Sequence, residues 1–168
     1  MEQNKLKTCW IVFSDVNRIL HLRAITGELR KQGFEVLVIA SPHLNGQDVM
    51  KDLNGSIVWA DSESWLRRDK RGVKTDPHIL IVTVNDKGDL GRDLAHRYRQ
   101  SPHTVVIALG NNMGTNSWKS TRPTYLVVPN VDESREALGK WEGFSEEQIR
   151  IINRFDIEGF VTFTRQVL

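Results

Sequence analysis

Apolar side chains fall along this chain in short unbroken runs, separated by polar stretches that carry a helical spacing of their own. Thr8–Phe13 is rich in β-branched and aromatic residues and predicts a first strand. Ser14 and Asp15 follow it, and both residue types favour helix N-caps. Ile19, Leu22, Ile25 and Leu29 then recur at intervals that place them on one buried helix face. Gly33 suits the C-cap of that helix. The run Glu35–Ala40 is apolar after its first residue and reads as a strand buried on both faces. Residues 8–40 therefore form one βαβ unit.

Ser41-Pro42-His43 begins a loop, residues 47–53 predict a short helix, and residues 56–60 predict a short third strand. Residues 61–74 are polar and basic, with a helix expected over 62–70 behind Asp61 or Ser62. The charges there (Arg67, Arg68, Lys70, Arg71 and Lys74) read either as a solvated face or as a rim that steers phosphates. The central unit is Asp76-Pro77-His78, an apolar strand over 79–84, an acidic glycine-containing turn over 85–93, a helical run over 94–100 and a strand over 104–109. Residues 110–123 carry few helix or strand signals. Residues 125–128 predict another strand, and Asn130 with Glu133 makes a capping box for a helix through Leu138. Ser145 with Gln148 makes a second box, which predicts a helix with Ile149, Ile152 and Phe155 on one face. In the tail, residues 160–164 suit a strand, while Phe160, Phe163 and Val167 suit a helix, which is the preferred reading.

Alternating strand and helix patterns predict a parallel sheet with helices on both faces. The expected fold is a single α/β domain over residues 1–168, a three-layer flavodoxin-like structure with a mostly parallel five-stranded sheet. Right-handed crossovers then bring the turns over 14–17, 85–93 and 110–116 to one edge of that sheet.

Composition narrows the function classes. The chain has 168 residues, 39% hydrophobic and 26% charged, which is ordinary for a globular domain. A net charge of +2 provides no basic stripe, so nucleic acid is not an expected partner. Cys9 is the single cysteine, which excludes an intrachain disulfide and a cysteine zinc cluster. No apolar run approaches the roughly 20 residues that span a bilayer, so no membrane association is expected. The polar residues 1–7 lack the apolar segment of a signal peptide, and the expected location is the cytoplasm. The five histidines lack metal-ligand spacing, and no P-loop or full dinucleotide fingerprint occurs. No metal site and no cofactor are expected.

The candidate chemistry lies in the acidic turn. Asp86, Asp89 and Asp93 fall at the end of a strand and in the first turn of a helix. Acidic residues there serve as caps stabilised by the helix dipole. The functional alternative is a carboxylate aimed into the crevice at the strand ends, and Asp93, fixed by helix geometry, is the best placed. Gly88 and Gly91 would let a ligand approach the backbone closely.

Residues 76–109 resemble the nucleoside 2-deoxyribosyltransferase superfamily. In that family an aspartate precedes a buried strand, and an acidic glycine-containing turn leads into a helix with a catalytic carboxylate. Asp89-Leu90-Gly91-Arg92-Asp93-Leu94 is similar to the family's turn, Trp65-Leu66-Arg67-Arg68-Asp69 to a segment ahead of the strand, and Asn111-Asn112-Met113 to an element after the last core strand. Val12-Phe13-Ser14-Asp15 looks more like the strand end of Toll/interleukin-receptor-like NAD-cleaving domains. Two positions depart from the deoxyribosyltransferase pattern. Phe13-Ser14-Asp15 replaces a glycine-proline end to strand one, and Asp93 replaces a glutamate.

The resemblance implies cleavage or transfer at the N-glycosidic bond of a nucleoside, nucleotide or NAD-like small molecule. Asp93 would be the nucleophile, with Asp15 or Asp86 orienting sugar hydroxyls or protonating the leaving base. It implies ligand contacts from Ser14, Asn17, Gly88, Gly91, Arg92, Asn111, Asn112 and Met113, and a homo-oligomer in which Asn112 reaches across a subunit interface. Two other readings stand beside it. One is a non-catalytic receiver-like or ligand-sensing, protein-binding module, with Asp15, Asp61 and Thr83 at the acidic and hydroxyl positions but Gly110 where a lysine is expected. The other is a nucleotide-sugar-binding half of a glycosyltransferase, which the chain length disfavours.

Overall fold

The structure, a computed structural model, describes residues 6–13, 19–46, 50, 57–62, 64, 66, 76–84, 90–110, 121–141 and 144–168. Its strands are β1 (Thr8–Phe13), β2 (Glu35–Ala40), β3 (Ile57–Trp59), β4 (Ile79–Thr83), β5 (Val105–Leu109), β6 (Tyr125–Val128) and β7 (Ile149–Ile151). Among the described residues the α-helices are α1 (Ile19–Lys31), α2 (Leu90–Tyr98), α3 (Val131–Lys140) and α4 (Ile157–Gln166). The strands form one seven-stranded sheet in the order β3-β2-β1-β4-β5-β6-β7. Every neighbouring pair is parallel.

Alternation along the strands sorts the core into two layers. Cys9 and Ile11 of β1, Val36 and Val38 of β2, Ile79 and Ile81 of β4 and Ile107 of β5 face one side, against Leu22, Ile25 and Leu29 of α1 and Phe160, Val161 and Phe163 of α4. Trp10, Val12, Leu37, Ile39, Leu80, Val82 and Val106 face the other, against Leu90, Leu94 and Tyr98 of α2 and Ala137 of α3. Burial on both faces is why these strands read as continuous apolar runs. Each fully buried Leu or Ile side chain stabilises the fold by about 1.5–3 kcal/mol.

Two features of the expected fold are corrected. The sheet has seven strands, not five: the short strand predicted over 56–60 joins it as the edge strand β3, and β7 forms the other edge, where a helix was expected. Its order is that of the dinucleotide-binding α/β folds, with β3 outside β2, rather than the flavodoxin order. The helix expected behind Ser145 is also replaced. The Ser145 backbone N–H does donate to Gln148 Oε1 at 3.2 Å, but the turn stops after Glu146–Gln148 and the chain enters β7. Once Ile149 is drawn into the ladder beside Leu126, sheet pairing overrides the local helix signal.

The tail is the helix α4, capped by Asp156, whose Oδ1 accepts from Gly159 N–H at 2.9 Å. It lies beside α1, and Arg165 Nη1 donates to Gln32 Oε1 at 3.0 Å. The short helices expected over 47–53 and 62–70 fall largely outside the described residues, although Met50 and Leu66 are buried in the core.

Candidate functional site at the carboxyl edge of the sheet

The direction of the chain around the sheet reverses at β1. From β1 it passes through α1 to β2 on one side, and the strand on its other side is β4, which feeds α2 on the opposite face. The helices that follow the carboxyl ends of β1 and β4 therefore lie on opposite faces of the sheet. Open α/β sheets bind their ligands at such a reversal.

The amino edge is closed by its own polar groups. Thr8 N–H donates to His78 Nδ1 at 3.1 Å, Tyr98 OH donates to Asp76 Oδ1 at 2.7 Å, and Thr104 Oγ1 donates to the Pro77 carbonyl at 2.7 Å. Asp76, the aspartate ahead of the central strand, thus lies at the end of the sheet opposite the carboxyl edge. Its contact here is to the α2 tyrosine.

At the carboxyl edge the first turn of α2 is pressed onto β1 and β4 through Gly91. A Cβ on Gly91 would lie 3.6 Å from Val82 Cβ and 3.7 Å from Val12 Cγ1, so its bare side faces the sheet. The next two residues turn away from the strands. Asp93 Oδ1 stands 3.6 Å from Arg92 Nη2, with the two side chains 59% and 36% exposed respectively. This is a surface pair that water screens well. Among the described residues the ion pair of Asp93 is with Arg92.

Ser14, Asp15, Asn17, Asp86, Gly88, Asn111, Asn112 and Met113 lie outside the described residues. The residues that launch their segments are fixed. Phe13 ends β1, Val84 N–H donates to the Leu109 carbonyl at 3.0 Å, and Gly110 N–H donates to the Val127 carbonyl at 2.7 Å. These three anchors stand on consecutive strands of the sheet, spaced by about 4.8 Å each. The strand ends that launch the three turns therefore share one edge, and most of the turn residues themselves lie outside the described residues.

Further groups at this edge escaped the sequence reading. Ser41 and His43 follow β2 directly, and Ser41 Oγ lies 2.7 Å from His43 Nδ1. A small recess is lined by Leu109, Gly110, Val128, Pro129 and Ile152, with Arg154 at its rim. The signal available was position: both sets lie at or just after the carboxyl ends of strands. Among the described residues no group of three or more His, Cys, Asp or Glu side chains is arranged to hold a metal ion. No described helix is long and apolar enough to cross a membrane.

The order of strands also separates the acidic and hydroxyl positions of a receiver. Asp61 follows the edge strand β3, while Thr83 ends β4, with β2 and β1 between them. Three strand spacings amount to roughly 14 Å.

No protein-family model matches the chain, and no curated protein matches its sequence. A crystal structure of UDP-N-acetylglucosamine 2-epimerase is similar to it in fold, with a TM-score of 0.64 and 15% sequence identity over 88% of this chain and 48% of that one. The chain thus spans about half the length of the solved structure it matches.

Proposed function

We propose that this domain binds a nucleotide-type ligand, a nucleoside diphosphate or its sugar conjugate, over the carboxyl edge of the sheet. The observation that carries this reading is the reversal at β1 and β4, whose following helices α1 and α2 lie on opposite faces of the sheet. The two helices leaving that point offer different chemistry. The first turn of α1 has no acidic side chain, so its N-terminal amides suit a phosphate. The first turn of α2 carries Asp93, a hydrogen-bond acceptor suited to sugar hydroxyls. The likeness to an epimerase named for a nucleotide sugar supports the same ligand class.

Thermal denaturation with UDP, UDP-N-acetylglucosamine, ADP, NAD and free nucleosides tests this. A ligand at one hundred times its Kd stabilises the folded state by about 2.7 kcal/mol. For a domain of this size that is a rise of about 2–4 °C in Tm per kcal/mol. A rise with the diphosphates and none with free nucleosides is expected. An unchanged Tm with every nucleotide would refute the proposal.

The position of Asp93 favours a second reading, cleavage or transfer at an N-glycosidic bond with Asp93 as nucleophile. That chemistry needs a carboxylate held against the sugar carbon, whereas this one is more than half exposed and paired with Arg92. Binding without covalent chemistry therefore fits the geometry better. Release of free base from any of these ligands, abolished in Asp93→Asn with Tm unchanged, would reverse that preference.

A further inference from the structure

An open sheet has two edge strands, and the unpaired backbone of an edge is a template for another chain. Among the described residues β7 is such an edge, paired on one side with β6. In a parallel ladder, alternate residues of a strand turn their backbone groups to the same neighbour. Ile152 N–H donates to the Val128 carbonyl at 2.9 Å, so Arg150 and Ile152 address β6 while Ile149 and Ile151 address the outside. A strand added here would bond to the N–H and carbonyl groups of those two isoleucines.

Half of these groups are already taken. Ile149 N–H donates to the Glu146 carbonyl within the turn Glu146–Gln148. The Ile149 carbonyl accepts from Arg150 Nη1 at 3.1 Å, and the same nitrogen donates to the Glu147 carbonyl. Arg150 is thus folded back over its own strand, where its side chain is half-buried. Its guanidinium lies 5.4 Å from the ring centroid of Tyr125 and 5.7 Å from that of Phe163. Those two rings pack edge to face at 5.3 Å, so the seat is part of the core. Beyond it the edge is open. The Ile151 side chain is 50% exposed, and its outward N–H and carbonyl have no partner among the described residues.

We infer that Arg150 guards the β7 edge, an intramolecular contact that occupies a carbonyl through which a second copy of this chain would pair. The occupant is a second copy because two β7 strands related by a two-fold axis are self-complementary. Set antiparallel with Ile151 opposite Ile151, each exchanges its outward N–H and carbonyl with the other. The next step of that ladder needs the Ile149 carbonyl, which Arg150 holds. This inference is independent of the nucleotide reading.

Sedimentation velocity of the parent and Arg150→Met over a wide range of protein concentration tests it. Methionine keeps an apolar stem over the two rings and removes every donor. Self-association of the variant is expected to be about tenfold tighter than that of the parent. Adding Ile151→Lys puts a charge on the opened edge and should return the double variant to the parent's behaviour. If Arg150→Met keeps its amide spectrum and sediments as the parent at every concentration, the guard is refuted. Association that survives Ile151→Lys would place the contact elsewhere and refute it too. Where Arg150→Met does not fold, hydrogen exchange of the parent decides. The Arg150 amide, bonded in the ladder, should be protected, and the Ile151 amide should exchange freely in dilute and concentrated protein alike. Protection of Ile151 that grows with concentration would mean an edge already paired, and the guard would fall.

Discussion

Cys9 lies in the layer between β1 and the helices α1 and α4, with no exposed surface, and burial pushes its thiol far above the ordinary cysteine range. A thiol in that state is not a nucleophile. Native protein should therefore resist iodoacetamide, and modification should appear only as denaturant unfolds the chain; rapid labelling without denaturant would contradict the packing. Tyr98 packs edge-on to Trp10 at 5.7 Å and is tied by its hydroxyl to Asp76. Tyr98→Phe keeps the ring and removes the hydrogen bond, so urea denaturation should show a loss of about 1 kcal/mol. No loss would mean that water replaces the contact at no cost. Asp93 illustrates what sequence alone can and cannot say of a residue. Its place in the first turn of a helix was readable from the pattern ahead of Leu94, but its surroundings were not. Whether a carboxylate faces a crevice or water depends on how far the helix rotates against the sheet. The buried face of Gly91 sets that rotation.

At the scale of elements, capping chemistry predicted where helices start more faithfully than how long they run. Asn130 Oδ1 accepts from Glu133 N–H at 2.9 Å, and a helix of ten residues follows. Asn130→Ala should cost about 1 kcal/mol in thermal or chemical unfolding. A change well below that would show that α3 is held by packing of Ala137 and the nearby Trp141 instead. Ser145 and Gln148 carry the same kind of signal, yet the segment they open becomes a strand within three residues. The difference is tertiary: Ile149 and Ile151 complete an open sheet edge, and nothing within the segment encodes that edge. Gly33, by contrast, was legible because its role is local. Its φ of 86° ends α1, where Phe34 N–H donates back to the Leu29 carbonyl at 3.1 Å. The C-terminal helix was read from the spacing of Phe160, Phe163 and Val167, whereas its cap at Asp156 is a finding of the structure.

At the scale of the whole molecule, the strands β1, β2 and β6 match the boundaries read from the sequence, but their order does not follow from them. Parallel strands buried on both faces all look alike as sequence, so a five-stranded and a seven-stranded sheet share most of their signals. Order is decided by which face each helix covers, and α4 returning to lie beside α1 is a contact between the two ends of the chain. The candidate site is dispersed for the same reason. Ser41, Leu90 to Asp93, Leu109 and Ile152 are spread along one edge of the sheet, which they share only because the strands are parallel with their carboxyl ends on the same side. That edge is the central claim, and amide chemical-shift mapping with UDP and UDP-N-acetylglucosamine tests it most directly. The account predicts changes at Ser41, Val84, Leu90, Arg92 and Gly110, with Thr8, His78 and Thr104 at the amino edge unmoved. Changes concentrated on Thr8, His78 and Thr104, or none anywhere at saturating ligand, would contradict it.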